Sequence, residues 1–420
     1  MAKLTLIIMT TYFFTSDLFA GGLVLNSKRL PVLTSVAQIR FTEIDIDAED
    51  NTFIIIKVDG FRGEHFYEDE FLFMNDSLTD LEQYGGIWDK FLKDGHFHLA
   101  CRKDETISIY KVRKGMELVS SIGTKESLGK HLQSKDIDRF IPVSGSGNFY
   151  YLLASGKRFP VNPVEFLVNF FSGGHGIGYA KPFLIEMQDD KCAKPRKLRY
   201  GGKIDESYYI KQVVQHEGFV HFLGFRMQEE RAFGPDKIEP EPEILHHAAY
   251  DLKKKKVVKT HTICTKTPKV EKDKNNRSFY GPLSIDALDD NVFVAFSWIQ
   301  RKLNVRPITT KDVNSTIFYW QYSNGLAGDV EKITGGFLPI AKVDSSGSVH
   351  ILWVDKNASL IHKAKRDGKW SNDTVLVNNL DVDYSVIVRG VVTAEFDSAD
   401  NLHIVYPLGG TLVHSVLKVD

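Results

Sequence analysis

The sequence predicts an all-β protein, a seven-bladed β-propeller built from four-stranded antiparallel sheets, with six blades as the main rival. The clearest stretch is Gly336–Leu376, in which four short apolar runs are separated by turn-rich breaks at Asp344–Gly347, Asp355–Asn357 and Arg366–Gly368. Runs of this kind, bounded by Gly, Asp, Asn and Ser, indicate strands joined by hairpins. One such sheet in about forty residues is the size of a propeller blade.

The second observation is that this phrase recurs along the chain. Gly347, which we call an anchor residue, ends the first turn and is followed three residues later by His350. Equivalent anchors occur at intervals from 45 residues (Asp50 to Gly95) to 72 residues (Gly218 to Asp290). Periodic self-similarity is typical of repeat architectures. The seven anchors are Asp50, Gly95, Gly147, Gly218, Asp290, Gly347 and Asp400, and the residues three positions after them are Phe53, His98, Tyr150, His221, Phe293, His350 and His403.

The third observation is that the strands after the anchors are apolar on both faces. In Val349–Val354 one face carries Val, Ile and Trp353, and the other carries His, Leu and Val. Strands of this composition are covered on both sides, as inner strands are between neighbouring blades. We therefore expect Trp353 to lie in the core.

The first twenty residues have the layout of a secretory signal peptide. Lys3 precedes the apolar run Leu4–Phe14, and Ala20 precedes two glycines. The run is too short to span a bilayer, and no later stretch is a candidate span. The sequence therefore predicts a secreted or periplasmic protein, with a signal peptide over 1–20.

The remaining residues, 21–420, are predicted to form a single propeller domain. The last repeat has only three clear strands, so the segment Gly21–Gln38 is expected to supply its outer strand and close the ring. Insertions are expected at about 159–206, which includes a helix at Pro163–Phe171, and at about 227–243. Lys253–Lys256 is expected to be a solvated hairpin tip.

Composition excludes some classes of partner. The formal net charge of −1 provides no general attraction to nucleic acid, so neither nucleic acid nor a membrane is expected as a partner. We expect a monomer without a cofactor. Of the three cysteines, Cys101 falls in a core position, and Cys192 and Cys264 lie in irregular stretches and could pair.

Four histidines share one position in the repeat, and this position allows two interpretations. His98, His221, His350 and His403 would have to converge within about 4 Å to bind zinc. Equivalent positions in different blades lie on a ring, with neighbouring sheets about 10 Å apart. We therefore favour half-buried histidines that each bond through one ring nitrogen, and we predict no metal site.

The candidate ligand-binding residues lie near the starts of first strands, where propeller ligands meet the axis. Three arginines and a tyrosine there would suit a carboxylate-bearing sugar, because arginine grips carboxylates with two parallel hydrogen bonds. The alternative is that they are ordinary strand-end residues facing solvent. The four residues are Arg40, Arg139, Tyr280 and Arg389.

The phrases Asp344–Trp353, Leu360–Trp370 and Asp397–Tyr406 resemble repeats of the sialidase-like propeller superfamily, also called the BNR-type superfamily. The resemblance implies a propeller, and such propellers include sialidases, polysaccharide lyases and non-catalytic sugar-binding proteins. We expect the partner to be a glycan, another anionic polar ligand or a protein. The Asp box of sialidases, Ser-x-Asp-x-Gly-x-x-Trp, is incomplete here, since only Asp367 and Trp370 remain.

Three functions stay open on the sequence. The first is a secreted module that binds a glycan or protein partner at one mouth of the axial channel. The second is a carbohydrate-active enzyme, either a sialidase-like glycoside hydrolase or a polysaccharide lyase. The third is a structural surface protein.

Overall fold

The computed structural model describes residues 18–20, 23–30, 39–62, 65–74, 77–104, 106–122, 137–142, 149–156, 181–188, 191–193, 196–198, 207–216, 218–227, 244–264, 276–302, 312–323, 325–382 and 390–419. The expected helix at 163–171, the insertion at 227–243 beyond Met227 and the first seventeen residues of the predicted signal peptide lie outside these ranges. No helix within the described ranges has the length and apolar character needed to cross a membrane.

The chain begins with two strands that belong to its last sheet, β1 (Leu18–Ala20) and β2 (Leu23–Arg29). Sheet one follows, with strands β3 (Ile39–Ile46), β4 (Thr52–Arg62), β5 (His65–Met74) and β6 (Ser77–Asp80). A single 3-10 turn at Glu82–Tyr84 leads out of it.

The next three sheets run to residue 264. Sheet two comprises β7 (Ile87–Lys93), β8 (His96–Lys103), β9 (Thr106–Val112) and β10 (Met116–Ile122). Sheet three comprises β11 (Ile137–Pro142), β12 (Phe149–Gly156), β13 (Lys181–Gln188), β14 (Lys191–Cys192) and β15 (Arg196–Lys197). Sheet four comprises β16 (Ser207–His216), β17 (Phe219–Met227), β18 (Ile244–Asp251) and β19 (Lys256–Cys264).

Three more sheets complete the described chain. Sheet five comprises β20 (Asn276–Leu288), β21 (Asn291–Lys302), β22 (Val313–Ser323), β23 (Leu326–Ala327) and β24 (Glu331–Gly335). Sheet six comprises β25 (Phe337–Val343), β26 (Val349–Val354), β27 (Leu360–Arg366), β28 (Lys369–Trp370) and β29 (Thr374–Val377). Sheet seven comprises β30 (Thr393–Phe396), β31 (Asn401–Leu408) and β32 (Thr411–Lys418), with β2 and β1 outside them.

The seven described sheets are antiparallel, and in each of them three consecutive strands pair in chain order (β30 to β32 in sheet seven), as in propeller blades, so the all-β, four-stranded architecture is confirmed. Two compact units hold them. The first unit is Met1–Glu82, Lys272–Tyr322 and Gly328–Asp420, and the second is Gln83–Glu271 with Ser323–Ala327. A single closed ring of seven blades, or of six, depends on how the units join and stays a prediction.

Inside the first unit the first strands of successive sheets contact one another. β20 contacts β25, β25 contacts β30, and β30 contacts β3. The expected strand exchange at the termini is confirmed, because β2 pairs antiparallel with β32 in the register Ser27 to Ser415. The chain's first sheet-forming segment thereby covers an edge of its last sheet. Strand β1 lies within the predicted signal peptide, whose removal stays a prediction.

The turns and core follow the sequence pattern. Positive φ angles occur at the anchors Asp50, Gly95, Gly218, Gly347 and Asp400, and in sheet five the φ of 51° falls at Asp289, one residue before the predicted anchor. The six residues of β26 are all buried, and Trp353 is 2% exposed, which confirms the prediction that second strands are covered on both faces. Cys101 is buried, as expected, and Lys253–Lys256 is an exposed tip.

Candidate functional site

The loops between first and second strands are built on aspartates. The Oδ1 atom of Asp344 accepts the backbone N–H groups of Ser346 (3.0 Å) and Ser348 (2.8 Å). Asp47 and Asp397 cap their loops in the same way. An aspartate that bonds its own backbone two residues on fixes a tight turn. These loops therefore stand as rigid structures at one end of sheets one, six and seven.

Serines bridge these loops from one sheet to the next, and we call these bridges the loop latch. Ser345 donates to Asp400 through its N–H (2.8 Å) and its hydroxyl, and Ser398 donates to Asp50 through its N–H (2.9 Å) and its hydroxyl (2.7 Å). Asp50 and Asp400 have φ angles of 60° and 58°, where glycine is usual. Glycine would lack these acceptors, so the latch gives a reason for aspartate at both positions.

Beneath the loop of sheet six lies a chain of three side chains. The Nε2 atom of His350 is 3.1 Å from Asp344 Oδ2, and its Nδ1 atom is 3.0 Å from His362 Nε2. The two rings are stacked 5.2 Å apart at 13°. Burial lowers the pKa of His350, and burial together with His350 lowers the pKa of His362 to about 3. Both imidazoles are therefore neutral in neutral solution.

The arrangement repeats in other sheets. In sheet seven His403 lies 3.2 Å from Asp397 Oδ2 and 3.0 Å from His414 Nε2. In sheet four His221 Nδ1 lies 3.0 Å from His247 Nε2. His221, His350 and His403 are buried rather than half-buried, and His350 and His403 bond through both ring nitrogens rather than the one expected. Within the described ranges no three His, Cys, Asp or Glu residues are placed to hold a metal ion.

A set of charged side chains on the first strands of the first unit forms what we call the inner column. Each residue lies opposite the residue three positions after its anchor, in the registers Asp45 to Phe53, Asp286 to Phe293, Lys342 to His350 and Glu395 to His403. All four side chains are partly exposed. The inner column comprises Asp45, Asp286, Lys342 and Glu395.

Lys342 is the centre of the inner column. Its Nζ atom is 2.6 Å from Glu395 Oε2, with the two side chains 16% and 27% exposed. Burial alone would lower the pKa of Lys342, but Glu395, Asp286 and Asp45 offset this effect and raise it. The lysine is therefore charged, and it interacts electrostatically with carboxylates from three other first strands.

Asp286 is the second carboxyl group beside Lys342. It accepts the N–H of Val343 at 2.9 Å. Burial raises its pKa, Lys342 opposes that shift, and the nearby charge of Glu395 adds to it. Asp286 and Glu395 are therefore two carboxyl groups in different electrostatic environments beside one lysine.

The inner column was missed by sequence reasoning, although a signal existed. Each member lies four or five residues before its anchor and directly follows a buried residue of its strand. In the second unit the corresponding register positions hold Phe91, Pro142 and Val214. Charge at this position is therefore confined, among the described sheets, to the first unit.

The four residues predicted to bind ligand do not form one described cluster. Arg40 is exposed and sits at a bulge near the start of β3, between Ile39 and Phe41. Tyr280 is only 8% exposed, and its ring is 4.9 Å edge-on from Trp298 and 5.9 Å from Phe296. It is held in an aromatic cluster.

The other two predicted ligand residues, Arg139 and Arg389, do not help to define the site. Arg139 lies on β11 of the second unit, paired in register with Leu153. Arg389 lies outside the described residues. The ligand role of the four residues therefore stays a prediction.

Comparisons with known proteins give structural neighbours only. No protein-family model and no curated protein matches the sequence. Solved structures that resemble the chain include an α-L-arabinanase from Penicillium chrysogenum complexed with arabinobiose (10% identity, covering 97% of this chain and 98% of that chain, TM-score 0.42). Others are an α-L-arabinofuranosidase from Fusarium graminearum (9%, 97% and 98%, 0.39) and the β-propeller domain of the trilobed protease from Pyrococcus furiosus (10%, 91% and 97%, 0.40). At identities of 10% or less and TM-scores below 0.5, these likenesses do not decide the function of this chain.

Proposed function

We propose that this protein is a secreted glycan-binding propeller whose ligand site is the inner column. The observation that carries the proposal is the meeting of Asp45, Asp286, Lys342 and Glu395 on four successive first strands, with all four partly open to water. Binding sites in repeat folds collect convergent polar groups on rigid strands near an axis. Burying a charged side chain costs desolvation free energy. Because apolar residues occupy the same position in the second unit, folding alone does not require charged residues there.

The chemistry of the column suits a hydroxyl-rich ligand. Carboxylates accept hydrogen bonds from neighbouring hydroxyl groups of a sugar, and an ammonium group donates to ring or hydroxyl oxygens. Hydrogen bonds to charged groups are about twice as strong as neutral ones. Glu395 and Lys342 hold each other in position at 2.6 Å, so both are oriented before a ligand arrives.

The column favours a neutral sugar over an acidic one. Three carboxyl groups face one lysine, and that lysine is already paired with Glu395. An anionic ligand would therefore meet repulsion at this end of the strands. Arg40, which would attract an anion, lies five residues before Asp45, about 16 Å away along an extended strand. The two residues cannot contact the same monosaccharide, so an anionic ligand held by the predicted arginines is a separate hypothesis.

A glycoside hydrolase is the second candidate, favoured by the contrast between Asp286 and Glu395. Hydrolysis of a glycosidic bond uses one protonated and one ionised carboxyl group. The raised pKa of Asp286, caused first by burial, suits the protonated partner, and Glu395, which forms the ion pair with Lys342, is the second carboxyl group of the pair.

The test is glycan binding and turnover by the full chain and three variants. Glu395→Gln and Asp286→Asn keep side-chain size while removing charge, and Lys254→Ala changes an exposed hairpin tip as the control. We expect wild type and the control to bind neutral oligosaccharides on an array and in calorimetry, and both column variants to lose at least tenfold in affinity. Turnover of aryl glycosides that disappears in both variants would favour the hydrolase. Wild type that binds no glycan would remove the proposal.

A further inference from the structure

We propose that Asp344, His350 and His362 form a proton relay that takes up one proton on mild acidification and places its charge on His350, beside the inner column. The proposal concerns proton uptake by the protein itself, so it does not require that the column binds a glycan. The geometry that supports it is the unbroken chain from Asp344 Oδ2 to His350 (3.1 Å) and from His350 to His362 (3.0 Å).

The hydrogen bonds fix where the protons sit in neutral solution. An ionised carboxylate only accepts, so the Nε2 atom of His350 carries a hydrogen and donates it to Asp344. The Nδ1 atom of His350 is then a lone pair, and the Nε2–H group of His362 must donate to it. His350 is fully buried, and this assignment satisfies both of its ring nitrogens.

Acidification changes this arrangement in one balanced step. A proton adds to Nδ1 of His362, which is the ring nitrogen that faces away from His350. The Nε2 hydrogen of His362 moves across the 3.0 Å gap to Nδ1 of His350. His350 becomes an imidazolium that donates to Asp344 and to the freed Nε2 lone pair of His362. One proton has entered, and every hydrogen bond survives with the second one reversed.

A second proton does not fit. It would have to bind Nε2 of His362, which then accepts from His350, and two N–H groups would face each other at 3.0 Å. Two adjacent cations in a buried site also repel strongly. The capacity of the pair is therefore one proton, which distinguishes a relay from two independent histidines.

The charges around the pair set the acidity at which the proton enters. Burial opposes the charged form of His350, Asp344 and Asp400 favour it, and Arg366 opposes it. Phe396 packs edge-on against the ring at 5.2 Å and contributes no charge. His362 faces His350 and Arg366, which both disfavour a charge there. The imidazolium therefore forms on His350, at a pH below the ordinary pKa of histidine.

The position of the new charge gives the relay a consequence. His350 is the cross-strand partner of Lys342, and paired residues project to the same face of a sheet. In sheet seven the similar arrangement of Asp397, His403 and His414 places His403 opposite Glu395. A proton taken up by His350 therefore adds positive charge beside Lys342, on the same face of the sheet. This makes the end of the strands that carries the inner column less acidic.

The experiment is a pH titration of the ¹⁵N-histidine-labelled full chain by NMR, which distinguishes the two neutral tautomers and the cation. Asp344→Asn removes the charge that stabilises the imidazolium and keeps an oxygen to cap the loop. Asp355→Asn is the matched control, because Asp355 caps the next loop with the same two N–H bonds at 2.8 Å and contacts no histidine.

We expect Nε2–H tautomers on both histidines at pH 7.5, one proton taken up per pair at a pH below the ordinary pKa of histidine, and an Nδ1–H tautomer on His362 afterwards. We expect Asp344→Asn to lower the pH of uptake by about one unit or more, and Asp355→Asn to leave it unchanged. Uptake of two protons per pair, an Nδ1–H tautomer on His350 at pH 7.5, or equal titration of the two variants would overturn the proposal. If Asp344→Asn fails to fold, the wild-type tautomers and proton count decide alone.

Discussion

A methyl group added at Gly336 tests how tightly sheets five and six pack. A Cβ atom built there would lie 2.6 Å from Cδ1 of Trp353, 3.0 Å from the carbonyl oxygen of Val354 and 3.1 Å from Cδ1 of Ile317. Trp353 is 2% exposed and belongs to a cluster with Phe293. The ring cannot move into solvent, so Gly336→Ala should cost about 1–3 kcal/mol through overpacking.

The same contact predicts how two substitutions combine. Complete truncation of a buried tryptophan costs about 3–5 kcal/mol, and Trp353→Leu should cost less because leucine refills part of the space. The leucine also removes the atom nearest to the added methyl group. In the double variant the Gly336→Ala step should therefore be milder by about 1 kcal/mol or more, which is a favourable coupling between contacting residues.

The assay is chemical denaturation of wild type, the two single variants and the double variant, monitored by near-ultraviolet circular dichroism. Lys254→Ala, whose side chain is 63% exposed, is the surface control and should stay within about 0.5 kcal/mol of wild type. Strict additivity of Gly336→Ala and Trp353→Leu would show that the methyl group does not meet the ring. Equal midpoints for Trp353→Leu and Lys254→Ala would refute the placement of Trp353 in the core.

Three further predictions follow from other contacts. Burial lowers the pKa of His98 to about 4 and that of His362 to about 3, so the unfolded chain binds more protons below pH 6.5 and stability should fall as pH drops from 6.5 toward 4. By pH 5 each histidine should remove about 2 kcal/mol, and stability that is flat between pH 7 and 5 would contradict this. Asp50→Ala and Asp50→Gly both lose the two bonds from Ser398, but Asp50→Ala also keeps the unfavourable φ, so it should melt lower than Asp50→Gly, which relaxes the backbone; the reverse order would show that the φ of Asp50 carries no strain. Lys342→Met leaves three carboxyl groups without their cation and should destabilise by about 3 kcal/mol at pH 7 and less at pH 4, which unfolding at both pH values checks.

The sequence determined the local architecture of this protein. Turn residues and short apolar runs act over a few neighbouring positions, so the hairpins, the buried second strands and the core position of Trp353 were all predictable. The exchange of β2 into the last sheet was predictable as well, because a repeat with three strands needs a fourth. Of the seven predicted anchors, Gly147 lies outside the described residues, and the other six were found to within one residue, since a left-handed turn position favours Gly, Asp or Asn for steric reasons.

Tertiary structure alone decided which distant side chains meet. Asp45 and Lys342 lie in different repeats, and only the contacts between first strands of successive sheets bring the inner column together. The formal net charge of −1 for the whole chain does not reveal that these charged residues form a local cluster. The histidine pairs are similar, because a period in the sequence shows that His350 and His362 recur without showing that their rings stack at 5.2 Å. Register across strands, which sets these contacts, depends on the packing of whole sheets.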